Sequence, residues 1–390
     1  MSYEYRDKVL WDVPVVWNKP TDNSRIPVSL RKRTPWVSDE KMDLEKLINS
    51  PIGEQMIKDF LPYFTYGDEM DPALLAYYEG LEKGLKKEMH QRDDFWERWA
   101  TFVPLSAFRE DNKERRYPLL FVLHGSTMPI NWEECSGFTK IAARDEIILC
   151  IPENHSVENM MRIFQEMQEN YPIDLTRVYC TGYSLGGRQT NELLFAHPEI
   201  LAAACPCGSL AGPFSCTDTN EEKIAKVASY RVPVMTVSGL NEGLYLFPYY
   251  KDAPDKGCMW EALDESVLGS APKIMDKIES LNRRLRSLNC RPVTLEEVQA
   301  TAYSGIDAER LIGAPGAVYE IKTILNTNHY FASYMDRFGD EVFKIVAVDN
   351  FPHWPSPTMA ELCWDFMKHY SRDKKNGKLI DDRKYNPEIL

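Results

Sequence analysis

From Trp99 onward the chain alternates continuous apolar runs with amphipathic stretches. The runs are Trp99 to Leu105, Pro118-Leu119-Leu120-Phe121-Val122-Leu123, Ile147 to Pro152, Val178 to Thr181, Leu201 to Pro206, Val232 to Ser238 and Val342 to Val348. Runs of this length without alternation mark strands buried on both faces. Between them, apolar positions recur at helical spacing over Asn131 to Asp145, Glu158 to Asn170 and Leu185 to Ala196, and a last amphipathic helix is expected over Met359 to Tyr370. Strand and helix in alternation predict an α/β fold, a doubly wound and mostly parallel sheet covered by helices.

Two regions break this rhythm. Residues 1–98 open on Trp11, Pro14, Trp17, Pro20, Pro27, Pro35 and Trp36, followed by helix-like stretches at Met42 to Asn49 and Pro72 to Trp99. They carry no motif with chemistry attached and read as an N-terminal extension or cap. Between 243 and 340 the pattern dissolves into aromatic loop and helix. Insertions of this kind usually lie over the carboxyl ends of the strands, where ligands bind, so the segment reads as a lid. The expected core is therefore 99–242 together with 341–390.

Composition narrows the function. The 390 residues are 44% hydrophobic and 27% charged, and 46 Lys plus Arg against 59 Asp plus Glu give a formal charge of -13, which opposes nucleic-acid and anionic-membrane partners. The basic clusters Arg31-Lys32-Arg33 and Arg283-Arg284-Leu285-Arg286 are short and read as solvated surface. No stretch approaches the roughly 18 apolar residues of a membrane span. The first residues have no apolar core of a secretion signal, so a cytoplasmic location is expected. Nine cysteines in so large a chain read as reduced, buried thiols, and Cys205-Pro206-Cys207 lacks the second ligand pair of a zinc site. Phosphate-binding loops, dinucleotide fingerprints and H-E-x-x-H are absent, so no cofactor and no metal are expected.

The residues that carry chemistry centre on Gly182-Tyr183-Ser184-Leu185-Gly186-Gly187, preceded by a strand and followed by a helix. A G-x-S-x-G turn in this context holds a nucleophilic serine on a strained strand-to-helix corner, where flanking side chains would strike neighbouring backbone. A serine hydroxyl needs a base oriented by a carboxylate, and the developing oxyanion needs backbone donors. The chain order serine, acid, histidine leaves His329, His353 and His369 as bases. His353, in Phe351-Pro352-His353-Trp354-Pro355 directly after the last strand, is the choice; His329 is the reserve, and His369 is placed on the outer run of the final helix. Glu242, a few residues past Val232 to Ser238, is the expected acid, ahead of Asp252 and Asp255. The oxyanion donors are expected at the amide of Leu185 and at Ser126 or Thr127, after the strand-end His124-Gly125, with His124 itself structural. Tyr183, Tyr245, Phe247, Trp260 and Trp354 are candidates for a substrate pocket, with packing of the lid as the other reading of the aromatic cluster.

Pro118 to Gly125, Thr176 to Tyr179 leading into Gly182 to Gly187, Ala196-His197-Pro198, Val232 to Glu242 and Pro352-His353-Trp354-Pro355 together resemble the polyhydroxybutyrate depolymerase-like and feruloyl-esterase-like branch of the α/β-hydrolases. The resemblance covers roughly 99–242 and 342–370. It implies a Ser184, Glu242 and His353 triad, hydrolysis of small or oligomeric acyl or aryl esters through an acyl-enzyme, and no cofactor. The chain departs from the branch in having Glu at the acid position, Ser238-Gly239 in place of His-Gly, and a shortened loop at Pro352-His353-Trp354. A serine peptidase of the prolyl-oligopeptidase type and a non-catalytic binding protein on the same fold are the competing readings.

Overall fold

The structure is a computed structural model. It describes residues 43–66, 84–92, 95–126, 128, 130–208, 220–247, 259–262, 274–294 and 317–384. In chain order these form α1 (Leu44–Ile48), α2 (Pro51–Tyr66), β1 (Leu85–Gln91), β2 (Arg98–Pro104), β3 (Tyr117–Leu123), α3 (Ile130–Glu134), α4 (Phe138–Asp145), β4 (Ile148–Pro152), α5 (Val157–Asn170), β5 (Ile173–Tyr183), α6 (Leu185–Ala196) and β6 (Ala203–Cys207). They continue with α7 (Glu221–Tyr230), β7 (Val234–Phe247), β8 (Met259–Ala262), α8 (Ile274–Ser287), β9 (Ala317–Ile324), β10 (Thr327–Met335), β11 (Glu341–His353), α9 (Met359–Met367), β12 (Tyr370–Arg372) and β13 (Leu379–Asp381). The described residues divide into two compact units, one drawn from Asp59–Pro206 and Thr358–Leu390, the other from residues 43–58 and Cys207–Pro357.

In the first unit the strands run in the order β1, β2, β4, β3, β5, β6. β2 pairs antiparallel with β4, and β3 pairs parallel with both β4 and β5. Every residue of β2, β3 and β4 is buried, as the unbroken apolar runs of β3 and β4 require, and in β2 the burial takes in Arg98 and Thr101 as well. Local signals set the helix starts: the Ser156 side chain accepts from the amide of Asn159 and caps α5. The C-terminal end of the chain is tied to this sheet by polar contacts, with Tyr179 Oη donating to the Tyr370 carbonyl at 2.7 Å and Arg372 Nε to the Leu201 carbonyl at 2.9 Å.

The strands of the second unit run β7, β11, β10, β9, with β8 paired to β7. β7 and β11 are parallel, while β10 is antiparallel to both β11 and β9. Part of the segment expected to be loop and helix is thus strand. β9 has strand-forming Val318, Ile321 and Ile324, but Val318 and Ile321 are exposed beside Glu320 and Lys322, so it has no buried face to mark it and its pairing with β10 supplies the order.

Three further expectations are corrected. The helix expected over Pro72 to Trp99 is, in its described part, β1, a single turn at Phe95–Glu97 and the start of β2. Leu85-Lys86-Lys87-Glu88-Met89-His90-Gln91 is rich in helix formers, but pairing with β2 decides its conformation. The single helix expected over Asn131 to Asp145 is two, broken where Gly137 turns with φ 99°. The strand expected to end at Ser238 continues to Phe247. The seven described cysteines are buried, and burial raises the thiols of Cys150 and Cys180, the latter to about 12. Among the described residues no helix is long and apolar enough to cross a membrane, and no cluster of three His, Cys, Asp or Glu side chains could hold a metal ion.

Two adjacent carboxylates on α3 are treated differently. Glu134, 3% exposed, receives Lys87 Nζ at 2.7 Å. Glu133 is 1% exposed and neither carboxylate oxygen has a hydrogen-bond partner. Burial pushes its carboxyl up to about 8, while the Ser136 hydroxyl donates to the Glu133 backbone carbonyl at 2.6 Å. A carboxyl whose pKa is higher in the folded chain than in the unfolded one loses stability as pH rises from the unfolded value, about 4.5, through the folded value. Glu133→Gln should therefore stabilise the protein at pH 8.5 by on the order of 1–3 kcal/mol, the cost of an unpaired buried polar group, and leave it nearly unchanged at pH 5. Urea unfolding at the two pH values measures this, and equal effects at both would refute it.

Candidate active site

β5 ends at Tyr183, α6 begins at Leu185, and Ser184 forms the corner between them. Its backbone has φ 77° and ψ -103°, a conformation that costs a residue with a side chain of order 1–3 kcal/mol. The corner is tight because β3 runs beside it, with Leu123 opposite Gly182. A Cβ on Gly182 would stand 2.6 Å from the Leu123 carbonyl oxygen and from Gly186, and one on Gly186 would stand 1.9 Å from that same oxygen. Both glycines of the G-x-S-x-G pattern are thus required by backbone contact.

The loop leaving β3 lies against this corner. A Cβ on Gly125 would be 3.8 Å from Ser184 Cβ and 3.6 Å from the Trp132 ring. The amide of Met128 donates to the Gly125 carbonyl at 3.2 Å and closes the turn. Ser126 is exposed in this turn, and Thr127 lies outside the described residues. Leu185 is the first residue of α6, so its amide is one of the donors that the helix leaves without an internal partner. Tyr183 is buried, its ring centroid 6.5 Å from that of Trp132, which also packs on Phe60 at 5.6 Å. Trp132 carries no chemical signature in the sequence, and only the close approach of the Gly125 turn and Tyr183 brings it to the corner.

His353 is the last residue of β11 in the second unit and is 2% exposed. Glu242 falls within β7 and not in a loop beyond it; its backbone is described and its side chain lies outside the described residues. The two strands lose regular register at this end. Val348 faces Gly239, Pro352 faces Asn241, and His353 faces Tyr245. Glu242 therefore belongs to the extra residues of β7 between the partners of Pro352 and His353.

Gly239 makes that irregularity sterically possible. A Cβ there would stand 2.2 Å from the Phe351 carbonyl oxygen and 2.5 Å from that of Pro352. Asn350, with φ 47°, turns the strand, and its side chain pairs twice with the backbone of Asp43, accepting from the amide at 2.8 Å and donating to the carbonyl at 2.9 Å. The expected extension thus touches the strand that carries His353, a contact with no signature in the sequence.

The other histidines sit elsewhere. His329, the reserve base, lies within β10 opposite Val348, fully buried, with Nδ1 donating to the Thr327 carbonyl at 3.0 Å, and burial lowers its pKa. His369 follows α9 in a turn and bonds Asp382 at 2.8 Å, so it is outside the helix on which it was expected. Trp354 is buried just past His353. Tyr245, Phe247 and Trp260 fall on the antiparallel pair of β7 and β8 instead of in a loop, with Tyr245 opposite Glu261 and Trp260 opposite Leu246; their side chains lie outside the described residues, as do Asp252 and Asp255.

No family model matches the chain. Among curated proteins it is similar to poly(3-hydroxyalkanoate) depolymerase C of Paucimonas lemoignei, 26% identical over 121 residues, covering 25% of this chain and 29% of the relative. The chain thus spans under a third of that relative's length. Among solved structures, acetyl xylan esterase from Aspergillus awamori aligns with TM-score 0.43 and 12% identity over 73% of this chain and 99% of its own. An S-formylglutathione hydrolase from Agrobacterium tumefaciens aligns with TM-score 0.39 and 11% identity over 73% and 96%.

The register of β11 depends on a hydrogen in place of a side chain at Gly239. Gly239→Ala should lower unfolding stability by about 1–3 kcal/mol, as overpacking against fixed backbone does. Denaturant titration measures the loss. A change within error would show that the Phe351 carbonyl can move aside.

Proposed function

We propose that this chain, which has the α/β-hydrolase fold, is a serine hydrolase of carboxylic esters. The observation that carries the reading is the corner at Ser184: a serine with φ 77° between a buried strand and a helix start, closed by two glycines that cannot bear a Cβ. A serine needs no such strain to serve as packing or as a helix cap. The resemblance to a poly(3-hydroxyalkanoate) depolymerase supports the same chemistry.

In this reading Ser184 Oγ attacks the ester carbonyl while His353 takes its proton and later returns it to the leaving alcohol. Glu242 holds the imidazole in the needed tautomer and stabilises its charge once formed. The oxyanion is received by the amides of Leu185 and of the turn at Ser126 or Thr127, with the positive end of α6 adding to the stabilisation. Water then repeats the attack on the acyl-enzyme. The substrate is a small or oligomeric ester, and no cofactor takes part. The insertion between the acid and the base acts on specificity at its aromatic start, and Tyr245, Phe247 and Trp260, with Tyr183 and Trp354, are the candidates for contact with the acyl or leaving group.

A fluorophosphonate should modify Ser184, located by mass spectrometry, and Ser184→Ala should abolish turnover of activated esters without loss of fold. His353→Ala should be as damaging, because nucleophile and base act as one unit, whereas His329→Ala should retain most activity. Glu242→Gln should reduce kcat by roughly a thousandfold or more with a smaller change in KM. An adduct on another residue would overturn the assignment of the nucleophile, and a reversed ranking of the two histidines would overturn that of the base.

For the lid, Trp260→Ala should reorder a panel of acetyl, butyryl, longer-chain and feruloyl esters, by the ~1–3 kcal/mol that one hydrophobic contact contributes to discrimination. Labelling of Ser184 by the small probe should persist. An unchanged ranking would make the segment a cover without influence on specificity.

A further inference from the structure

Behind the loop that faces Ser184 lies a buried cluster of charged and titratable side chains that the proposed chemistry does not use. His124, 5% exposed, directs Nδ1 at the Gly125 carbonyl at 2.8 Å and Nε2 at the Glu153 carbonyl at 3.1 Å. Carbonyl oxygens only accept, so a neutral imidazole could satisfy one of these contacts and would press a lone pair against the other. The Glu153 carboxylate stands 3.8 Å from Nε2 and receives Arg98 Nε at 3.1 Å, all within a site where the glutamate side chain is 1% exposed. His155 packs edge-on against His124 with ring centroids 4.0 Å apart, and its Nε2 is buried with no hydrogen-bond partner.

We infer that His124 is held as an imidazolium and is a positioning residue for the oxyanion site, fixing the Gly125–Ser126 peptide so that the Ser126 amide serves as a donor. The inference rests on the ester-hydrolase reading for its consequence, though not for the charge state. In a planar trans peptide the carbonyl and the following N–H point in opposite directions. Anchoring the Gly125 carbonyl with a charged donor on one side therefore aims the Ser126 N–H away from the histidine. A charge-assisted bond is roughly twice as strong as a neutral one, and it polarises the peptide so that its N–H donates more strongly. The Met128 amide on the same carbonyl oxygen is a second anchor. Glu153, whose other oxygen receives Arg98, is the nearest negative charge and is shared between the two cations. Burial holds the His155 imidazole well below its usual range, and the neighbouring His124 charge lowers it further, so the pair carries one proton charge and not two.

The test combines the ring state with kinetics. In protein labelled with 15N at histidine, both ring nitrogens of His124, assigned by their disappearance in His124→Asn, should be protonated at pH 7.5. An Asn amide can reproduce the Nδ1 contact to Gly125, whereas a Gln amide reaches the Nε2 position. His124→Asn should therefore retain kcat within severalfold, while His124→Gln and His124→Ala should lose roughly a hundredfold, the scale of one oxyanion donor, with KM little changed. The rate of fluorophosphonate attack on Ser184 should fall in the same order. A neutral ring in the wild-type protein overturns the inference whether or not any variant folds. Equal losses in all three variants would leave His124 a packing residue and also overturn it. If the wild type hydrolyses no ester, the proposed function fails by itself, and the ring state and phosphonylation rates still decide this inference.

Discussion

The contact on which the first unit depends is that between the Leu123 carbonyl oxygen and the backbone at Gly182 and Gly186. It lets β5 turn into α6 within a single residue and leaves Ser184 at φ 77°. Nothing local favours that conformation, so it persists only because surrounding structure over-determines it. The over-determination is visible: β3 is buried along its whole length, is paired on both sides, and continues directly into His124 and Gly125. One strand end therefore clamps the serine corner and launches the loop that faces it. Softening β3 would disturb both at once.

A second crowded backbone contact organises the other unit. Gly239 lies under the Phe351 and Pro352 carbonyls, where β11 departs from regular register before His353. The turn at Asn350 is secured from outside the sheet, by Asp43 from the start of the described chain. In both units, then, a candidate residue lies close to a glycine that admits neighbouring backbone, Ser184 two residues after Gly182 and Glu242 three residues after Gly239. Bulges and strained corners at strand ends re-aim side chains in this way, at a cost the sheet behind them absorbs.

What could be read from the sequence follows from how local each signal is. The buried strands β2, β3 and β4 announce themselves because burial on both faces demands unbroken apolar runs, and α6 begins at the expected residue because the G-x-S-x-G corner defines it. β1 did not, since Lys86, Lys87 and Glu88 favour helix and only its pairing with β2 makes it a strand. β7 ran past its expected end because the apolar run stops at Ser238, whereas the strand continues through Gly239, which marks a close backbone approach. The Asp43–Asn350 pair spans most of the chain, and no periodicity encodes a contact of that range. Glu133 and Glu134 are indistinguishable as neighbours in sequence; only the arrival of Lys87 separates them.

The histidines show why chemistry at such a site is decided by surroundings and not by proximity to the serine along the chain. A general base must keep one ring nitrogen free to accept a proton. His124 is closest to the serine corner by its own loop, yet both its nitrogens face carbonyl oxygens, so it has no acceptor to offer. His329 is sealed within β10 with Nδ1 committed to Thr327, and burial disfavours the charge a base must carry. His369 is committed to Asp382 beyond the last helix. His353, at the end of β11 where the register with β7 breaks, is the one among these four that forms the last residue of a strand. Active groups in open α/β sheets are positioned at such termini. The same residue type is thus sorted into a clamp, a packing group, a surface pair and a candidate base by what each imidazole meets.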